Sequence, residues 1–220
     1  MGLNESKGNM YEFITHTWNT IKGACPHDCS YCYMKKWGKQ NPIRFDQREL
    51  KTDLGSGNFI FVGSSCDMWA RDINEMWIIA TIVHCSDYNN VYFFQSKNPK
   101  NFELIKSITD LDYAICTTIE TNRHYRSIMQ YSPLPVDRAI GMSWINTGNK
   151  FVTIEPIMDF DIIPMVGLIK RCDPVQVNIG ADSGNNNLPE PDKDKILELI
   201  YELNKFTIVH EKKNLKRLIT

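Results

Sequence analysis

Cys25-Pro26-His27-Asp28-Cys29-Ser30-Tyr31-Cys32-Tyr33 is the stretch on which the reading of this chain turns. Its three cysteines, separated by three residues and then by two, can each ligate one iron of a 4Fe-4S cube and leave the fourth iron without a protein ligand. A cluster that only carries electrons normally takes four cysteines, so an open iron implies a substrate or cofactor bound at the metal. Zinc is the competing reading, but a closed structural zinc site wants four ligands, usually from two separated pairs. His27 lies too close to its neighbours to complete a tetrahedron easily, and no second cysteine pair follows. The odd total of seven cysteines and the lack of a signal peptide argue against disulfides.

Around that loop, the 220 residues are 42% hydrophobic, enough for one sizeable core and short for two domains. A single domain over 1–220 is expected, with residues 1–10 flexible and 206–220 a closing segment. A formal net charge of -1 and a pI near 6.5 exclude a global basic field for nonspecific nucleic-acid binding, although a local basic patch is compatible with them. No apolar run reaches the length of a membrane span, so a cytoplasmic protein with no membrane partner is expected. Met1-Gly2-Leu3-Asn4-Glu5-Ser6 fits the loose myristoylation pattern, but nothing basic follows it to supply a second membrane signal.

Strand-like and helix-like segments alternate. Strands are expected over Glu12 to Trp18, Asn58 to Gly63, Val91 to Gln95, Tyr113 to Ile119, Phe151 to Glu155 and Val175 to Gly180, with a seventh at Phe206 to Val209. Helices are expected over Asn74 to Tyr88 (apolar face Met76, Ile79, Ala80, Val83), from Pro99, over Val136 to Ile145, Ile162 to Arg171 and Asp192 to Lys205, with a closing turn at Leu215 to Ile219. Parallel crossovers need long connections, so this alternation argues for an α/β fold, a parallel sheet covered by outer helices. Six such units make a partial (β/α)6 barrel, whose reactive groups gather where the strands end.

The cysteine spacing resembles the signature of the radical SAM superfamily. That resemblance implies that the amino and carboxylate groups of S-adenosylmethionine (SAM) chelate the open iron, with Cys25, Cys29 and Cys32 as the metal ligands. It also implies that an electron from the cube breaks the sulfonium C–S bond and releases a 5'-deoxyadenosyl radical. Strand two ends in Gly63-Ser64-Ser65-Cys66-Asp67-Met68-Trp69, where glycine and serine permit the close approach that capture of an amino group requires. The position is similar to that of the Gly-Gly-Glu element of other radical SAM barrels, although no glutamate is present, and it assigns Ser64 and Ser65 to the cofactor.

On strand four, period-two alternation puts Ala114, Cys116, Thr118 and Glu120 on one inward face, with Ile115 and Ile119 outside. Lys97 or Arg123 is then expected to pair with the methionyl carboxylate, and Glu120 or Asn122 to bond the ribose hydroxyls. Thr153 and Glu155 share a face of strand five, and an inward Glu155 requires hydrogen bonds or a cation. On strand six, Asn178 and Gly180 face inward, Gly180 letting the adenine lie against backbone with Ile154 or Ile179 alongside. For each cation the competing expectation is an ordinary surface salt bridge.

The cysteine loop and Ser65-Cys66 also look like spore photoproduct lyase, a radical SAM enzyme family that repairs a thymine dimer in DNA. Lys97 and Thr118 fall at positions similar to SAM-contacting ones in that family. Small phage-associated radical SAM proteins of unassigned function are more similar still, through Thr15-His16-Thr17-Trp18-Asn19, Cys66-Asp67-Met68-Trp69, Gln95-Ser96-Lys97-Asn98-Pro99 and Thr153-Ile154-Glu155-Pro156. The lyase-like reading makes Cys66 the donor of a hydrogen atom to a substrate radical, with Tyr31 or Tyr33 as relay; otherwise Cys66 is a small buried hydrophobe. Cys85, Cys116 and Cys172 are read as core residues.

The leading expectation is a radical SAM enzyme acting on an unidentified substrate, a nucleic-acid base being favoured. Tyr31, Tyr33, Trp37 and Trp69 are placed to stack on a base, and Lys35, Lys36 and Lys39 to meet phosphate. A peptide or small-molecule substrate is the alternative within the same chemistry. A noncatalytic iron-sulfur sensor that docks a partner through Trp69 and Trp77 is the alternative outside it. The low potential that SAM cleavage demands implies a reducing flavodoxin or ferredoxin as partner.

Overall fold

The computed structural model describes residues 2–6, 11–106 and 111–220. In chain order the strands are β1 (Asn4–Glu5), β2 (His16–Trp18), β3 (Ile21–Lys22), β4 (Arg44–Phe45), β5 (Phe59–Val62), β6 (Val91–Ser96), β7 (Asp112–Thr118), β8 (Lys150–Ile154), β9 (Gln176–Ile179) and β10 (Ile208–Glu211). The helices are α1 (Glu75–Ser86), α2 (Glu103–Lys106), α3 (Arg126–Met129), α4 (Pro135–Trp144), α5 (Ile162–Cys172), α6 (Lys193–Leu203) and α7 (Lys216–Ile219). One sheet runs β1-β2-β5-β6-β7-β8-β9-β10, parallel from β2 onward, with β1 antiparallel at its edge; β3 and β4 form a separate antiparallel pair. The alternation is that of a partial barrel with outer helices, and β10 adds the seventh parallel strand beside β9. Of the segment 1–10, Asn4–Glu5 pairs with β2, and residues 1 and 7–10 lie outside the described residues. Among the described residues no helix is long and apolar enough to cross a membrane.

Alternation along the strands divides the side chains into two layers. Ile60, Val62, Tyr92, Phe94, Ile115, Val152, Ile154, Val177 and Ile179 point outward and merge with Ile78, Ile82, Met142, Ile169, Ile196 and Leu199 of the helices into the main core. Inward, Phe61, Phe93, Ala114 and Cys116 enclose Tyr11 and Ile14, which enter the barrel from below. That plug explains why the first strand begins at His16 and not at Glu12: Tyr11 and Phe13 turn in to pack on Phe93, with ring centroids 4.9 and 5.5 Å away. Above the plug the interior becomes polar. Gln95, Cys116, Phe151 and Gln176 lie in register, and one layer higher so do Thr118, Thr153, Asn178 and His210. The barrel interior thus passes from an aromatic base to a hydrogen-bonding upper chamber.

Two expectations about packing are corrected. Helix α1 forms, capped by Asn74 accepting from the Met76 amide at 2.9 Å, but it buries Ile78, Thr81, Ile82 and Cys85, while Met76 and Val83 are exposed. Its run Trp77-Ile78-Ile79-Ala80-Thr81-Ile82-Val83 is apolar nearly all round, so periodicity does not select the buried face; Thr81 is drawn in by a 2.7 Å hydrogen bond with Thr20. Trp69 is not exposed for docking: it is fully buried against Phe94 and Phe102, while Trp77 is half-buried and stacks on Phe45 at 5.9 Å.

The C-terminal segment is part of the barrel. Leu215 is fully buried in the main core, between a strand and a helix that together cap the sheet edge. Leu215→Ala is expected to lower unfolding stability by about 2–5 kcal/mol, read as a lower urea midpoint at unchanged slope.

Candidate active site

The cysteine loop follows β2 and the short β3, and lies over the C-terminal ends of the strands. Its turns close on themselves, Asp28 N donating to Cys25 O and Cys32 N to Cys29 O, each at 3.1 Å. Asp28 adopts a positive φ of 48°, which an aspartate tolerates in a tight turn. The outer wall is the segment around α3: Ser30 N donates to Ile128 O at 2.9 Å and Tyr131 N to His27 O at 3.1 Å. Cys29 is buried, its thiol 3.8 Å from Met129 O, and burial raises its pKa. Cys25 and Cys32 are half-buried, and all three are free thiols. Among the described residues no three His, Cys, Asp or Glu side chains converge to hold one metal ion. Thiols that each ligate a different iron need not converge on a point, so three free cysteines on one loop are a donor set of the kind a cube takes.

Cys66 is buried on the loop after β5, next to Cys25. Interaction between the two thiols lowers Cys25 to about 6 and raises Cys66. The two candidate relays separate. Tyr33 lies near Cys66 and donates to Ser64 O at 2.8 Å, whereas Tyr31 donates to Glu120 on the far side of the loop. Ser64 and Ser65 are both held by Asn19, whose Oδ1 accepts from Ser65 N at 2.9 Å and Ser65 Oγ at 3.0 Å and whose Nδ2 donates to Ser64 Oγ at 3.2 Å.

Glu120 points inward as the alternation requires, and it is fully buried. One oxygen receives Tyr31 and lies 3.2 Å from Lys97 Nζ; the other lies 2.6 Å from the Arg138 guanidinium, which is fully buried as well. Burial works against its charge, but Arg138 and Lys97 outweigh burial and hold the Glu120 carboxyl down at about 2. Burial likewise opposes the charge on Lys97, and Glu120 and Cys29 together more than restore it. Both Glu120 oxygens have protein partners, so the ribose-binding role expected of it has no free acceptor behind it. Lys97 also sits 5.4 Å above the Tyr31 ring. Thr118 accepts from Gln95 Nε2 at 3.1 Å.

Arg123 and Asn122 stand apart from this group. Arg123 forks onto Asp161 (2.6 and 3.1 Å) and reaches Asp159, and Asn122 Nδ2 donates to Asp161 at 3.1 Å. Of the two cations considered for a carboxylate, Lys97 is the one beside the cysteine loop.

Glu155 meets the physical condition set for it: Lys212 pairs with it, and Asn214 Nδ2 donates to it at 2.8 Å. The space over Gly180 is filled by those groups. A Cβ there would lie 2.7 Å from Glu155 Oε1 and 2.9 Å from Asn214 Oδ1, so this position is glycine to admit the carboxylate and the amide, not an adenine ring. Ile154 and Ile179 lie in the outer core and cannot flank an interior ligand. Asn178 differs from its neighbours. Its Oδ1 accepts from Gln176 at 2.8 Å, but its buried Nδ2 has no partner. An unmet donor in the upper chamber fits a ligand acceptor arriving from the mouth.

Sequence reading missed Asn19, Asp67, Arg138, Lys212 and Asn214. Arg138 carries the one legible signal, a cation beside Ala139 and one turn before Met142 on the buried face of α4.

No protein-family model and no curated protein matches the sequence. Among solved structures the chain is similar to spore photoproduct lyase complexed with dinucleoside spore photoproduct, at TM-score 0.61 and 12% identity over 93% of this chain and 64% of the other. A mutant of spore photoproduct lyase with bound AdoMet and dinucleoside spore photoproduct is similar at TM-score 0.58 and 11% identity over the same shares. The chain therefore spans less than two thirds of the length of those lyases. At such identities the likeness speaks for architecture, and the chain has the partial-barrel fold of the radical SAM type.

Proposed function

We propose that the chain is a radical SAM enzyme of the kind found in small phage-associated proteins, with a 4Fe-4S cluster held by Cys25, Cys29 and Cys32. The observation that carries the reading is a loop of three free thiols at the strand-end mouth of a barrel with this fold. Once bound, cluster and SAM supply reductive cleavage of the sulfonium C–S bond and a 5'-deoxyadenosyl radical for hydrogen abstraction. The chain's own residues orient the cofactor. Lys97 offers its ammonium to the methionyl carboxylate, Asn19 presents the Ser64 and Ser65 hydroxyls to the amino group, and Asn178 Nδ2 donates to the nucleoside from within the chamber. Cys66, beside Cys25, is the hydrogen-atom donor, with Tyr33 and not Tyr31 next to it. A reducing flavodoxin or ferredoxin is the electron source.

The substrate class we favour is a nucleic-acid base. Trp37 is 77% exposed and Tyr33 is half-exposed on the short helical turn leaving the cysteine loop, and exposed Lys35, Lys36 and Lys39 flank them. Lys36 donates to Ser183 O, on the loop after β9, at 3.4 Å, which supports a position of this turn beside the strand ends. Trp69 and Tyr31 take no part, Trp69 being buried and Tyr31 committed to Glu120. Trp37→Ala is expected to weaken binding of a short single-stranded oligonucleotide by about 1–3 kcal/mol. Lys36→Ala should reduce the salt slope of that binding by about one unit. Fluorescence anisotropy over a salt series checks both.

The enzyme reading is tested by anaerobic reconstitution with iron, sulfide, SAM and dithionite. 5'-Deoxyadenosine should form, and the reduced cluster's EPR spectrum should change when SAM is added. Purified protein that holds only zinc, or a cube indifferent to SAM, would sink it. Deuterium passed from labelled candidate substrates into 5'-deoxyadenosine identifies the attacked C–H bond.

A further inference from the structure

His27 sits inside the cysteine loop, two residues from Cys25 and two from Cys29, and is buried. Its Nε2 lies 2.8 Å from Asp67 Oδ2. The same carboxylate oxygen accepts from Ser96 Oγ at 2.9 Å and from Lys97 N at 2.8 Å, while Oδ1 accepts from Trp69 N at 3.0 Å. One oxygen therefore joins the cysteine loop, the loop after β5 and the end of β6. Asp67 also directly follows Cys66, the residue that touches Cys25. A carboxylate with this many donors is saturated, and its position is fixed by strands at both ends. The loop by contrast contributes no buried side chains of its own except His27 and Cys29 between residues 23 and 33. Its placement over the barrel therefore depends on a handful of polar contacts, and the His27–Asp67 pair is the one that ties the loop to the ends of both β5 and β6.

Resting on the cluster reading above, we propose that Asp67 is a positioning residue which, through His27, fixes the cysteine loop against the ends of β5 and β6 and so sets the spacing between the cluster thiols and Lys97. Neither residue is a ligand. Their role is that of outer-shell partners, whose removal typically weakens metal holding about 10-fold or more.

The test uses the full chain, reconstituted anaerobically. His27→Phe keeps an aromatic ring but removes the donor to Asp67, leaving the bonds from Ser96, Lys97 and Trp69. It should release iron to a colorimetric chelator about 10-fold faster than the unaltered chain and shift the EPR line shape of the reduced cluster. His27→Gln, whose amide can reach Asp67, should recover most of the retention. Ser96→Ala removes a different hydrogen bond from the same oxygen, and should lower the melting temperature without accelerating iron release. If His27→Phe fails to fold, His27→Leu, which also lacks a donor to Asp67, carries the comparison, with the same expected release and the same Ser96→Ala contrast. Unchanged release and EPR in the clamp variant, or equal acceleration in Ser96→Ala, overturns the proposal and leaves the cluster reading standing. A wild-type chain that takes up no cluster overturns that reading, and the clamp's role with it.

Discussion

Cys29→Ala is expected to abolish 5'-deoxyadenosine formation and to leave the reconstituted chain without an intact cube. Of the three loop cysteines it is the buried one, against Met129 O and beside Lys97 and Glu120, so solvent thiols reach its position least easily. It is also the cleanest choice on geometric grounds. Cys66 touches Cys25 and can stand in for it as a thiolate, but Cys29 lies toward Glu120 and Lys97, where the described residues provide no fourth thiol. The substitution removes one small buried side chain and should lower stability by only about 1 kcal/mol, so loss of activity will not be a folding artefact. Iron and sulfide per chain, EPR of the reduced protein and chromatography of the nucleoside product check the expectation together. A full complement of iron in Cys29→Ala would show that this thiol is not a ligand.

How much of this was legible follows from what each signal encodes. Strand alternation is a local property, and the inward set Ala114, Cys116, Thr118 and Glu120 read from it is the set the barrel turns inward. The cysteine spacing is local too. The α1 face is different, because a helix apolar on nearly every side is oriented by its neighbours, here by Thr20 reaching Thr81. Trp69 reads as a stacking residue only until Phe94 and Phe102, 25 and 33 positions later in sequence, are known to enclose it. The site's polar partnerships are the least legible of all. Asp67 serves His27 across 40 positions, Glu155 is met by Lys212 across 57, and Gly180 is glycine on account of side chains that approach from two other segments. No spacing rule connects such residues, because the connection is made by the sheet order and not by the chain.

The largest stability effect should come from Glu120→Gln. The amide keeps the side chain's shape but removes the charge that balances Arg138, which is fully buried, and Lys97, whose side chain is 16% exposed. Breaking a buried pair from one side typically costs about 3–5 kcal/mol, because the remaining charge is left uncompensated. Arg138 retains hydrogen bonds to Thr118 O, Pro133 O and Ser132 Oγ at 2.8–3.0 Å, which offset part of that loss and none of the charge. At about 2–4 °C per kcal/mol for a chain of this size, the melting temperature should fall by roughly 6–20 °C. Adding Arg138→Met should recover much of the fall, since an apolar side chain of similar length leaves no stranded cation. Acid gives an independent measure. The Glu120 carboxyl is lowered from 4.5 to about 2 on folding, so its contribution is complete above pH 4.5 and is lost as pH falls through about 2. Integrated over that window it amounts to about 3 kcal/mol, the same order as the substitution. Unfolding midpoints measured between pH 5 and pH 2 should therefore fall more steeply for the unaltered chain than for Glu120→Gln. Parallel curves would mean that the backbone carbonyls, and not Glu120, hold Arg138 in the core.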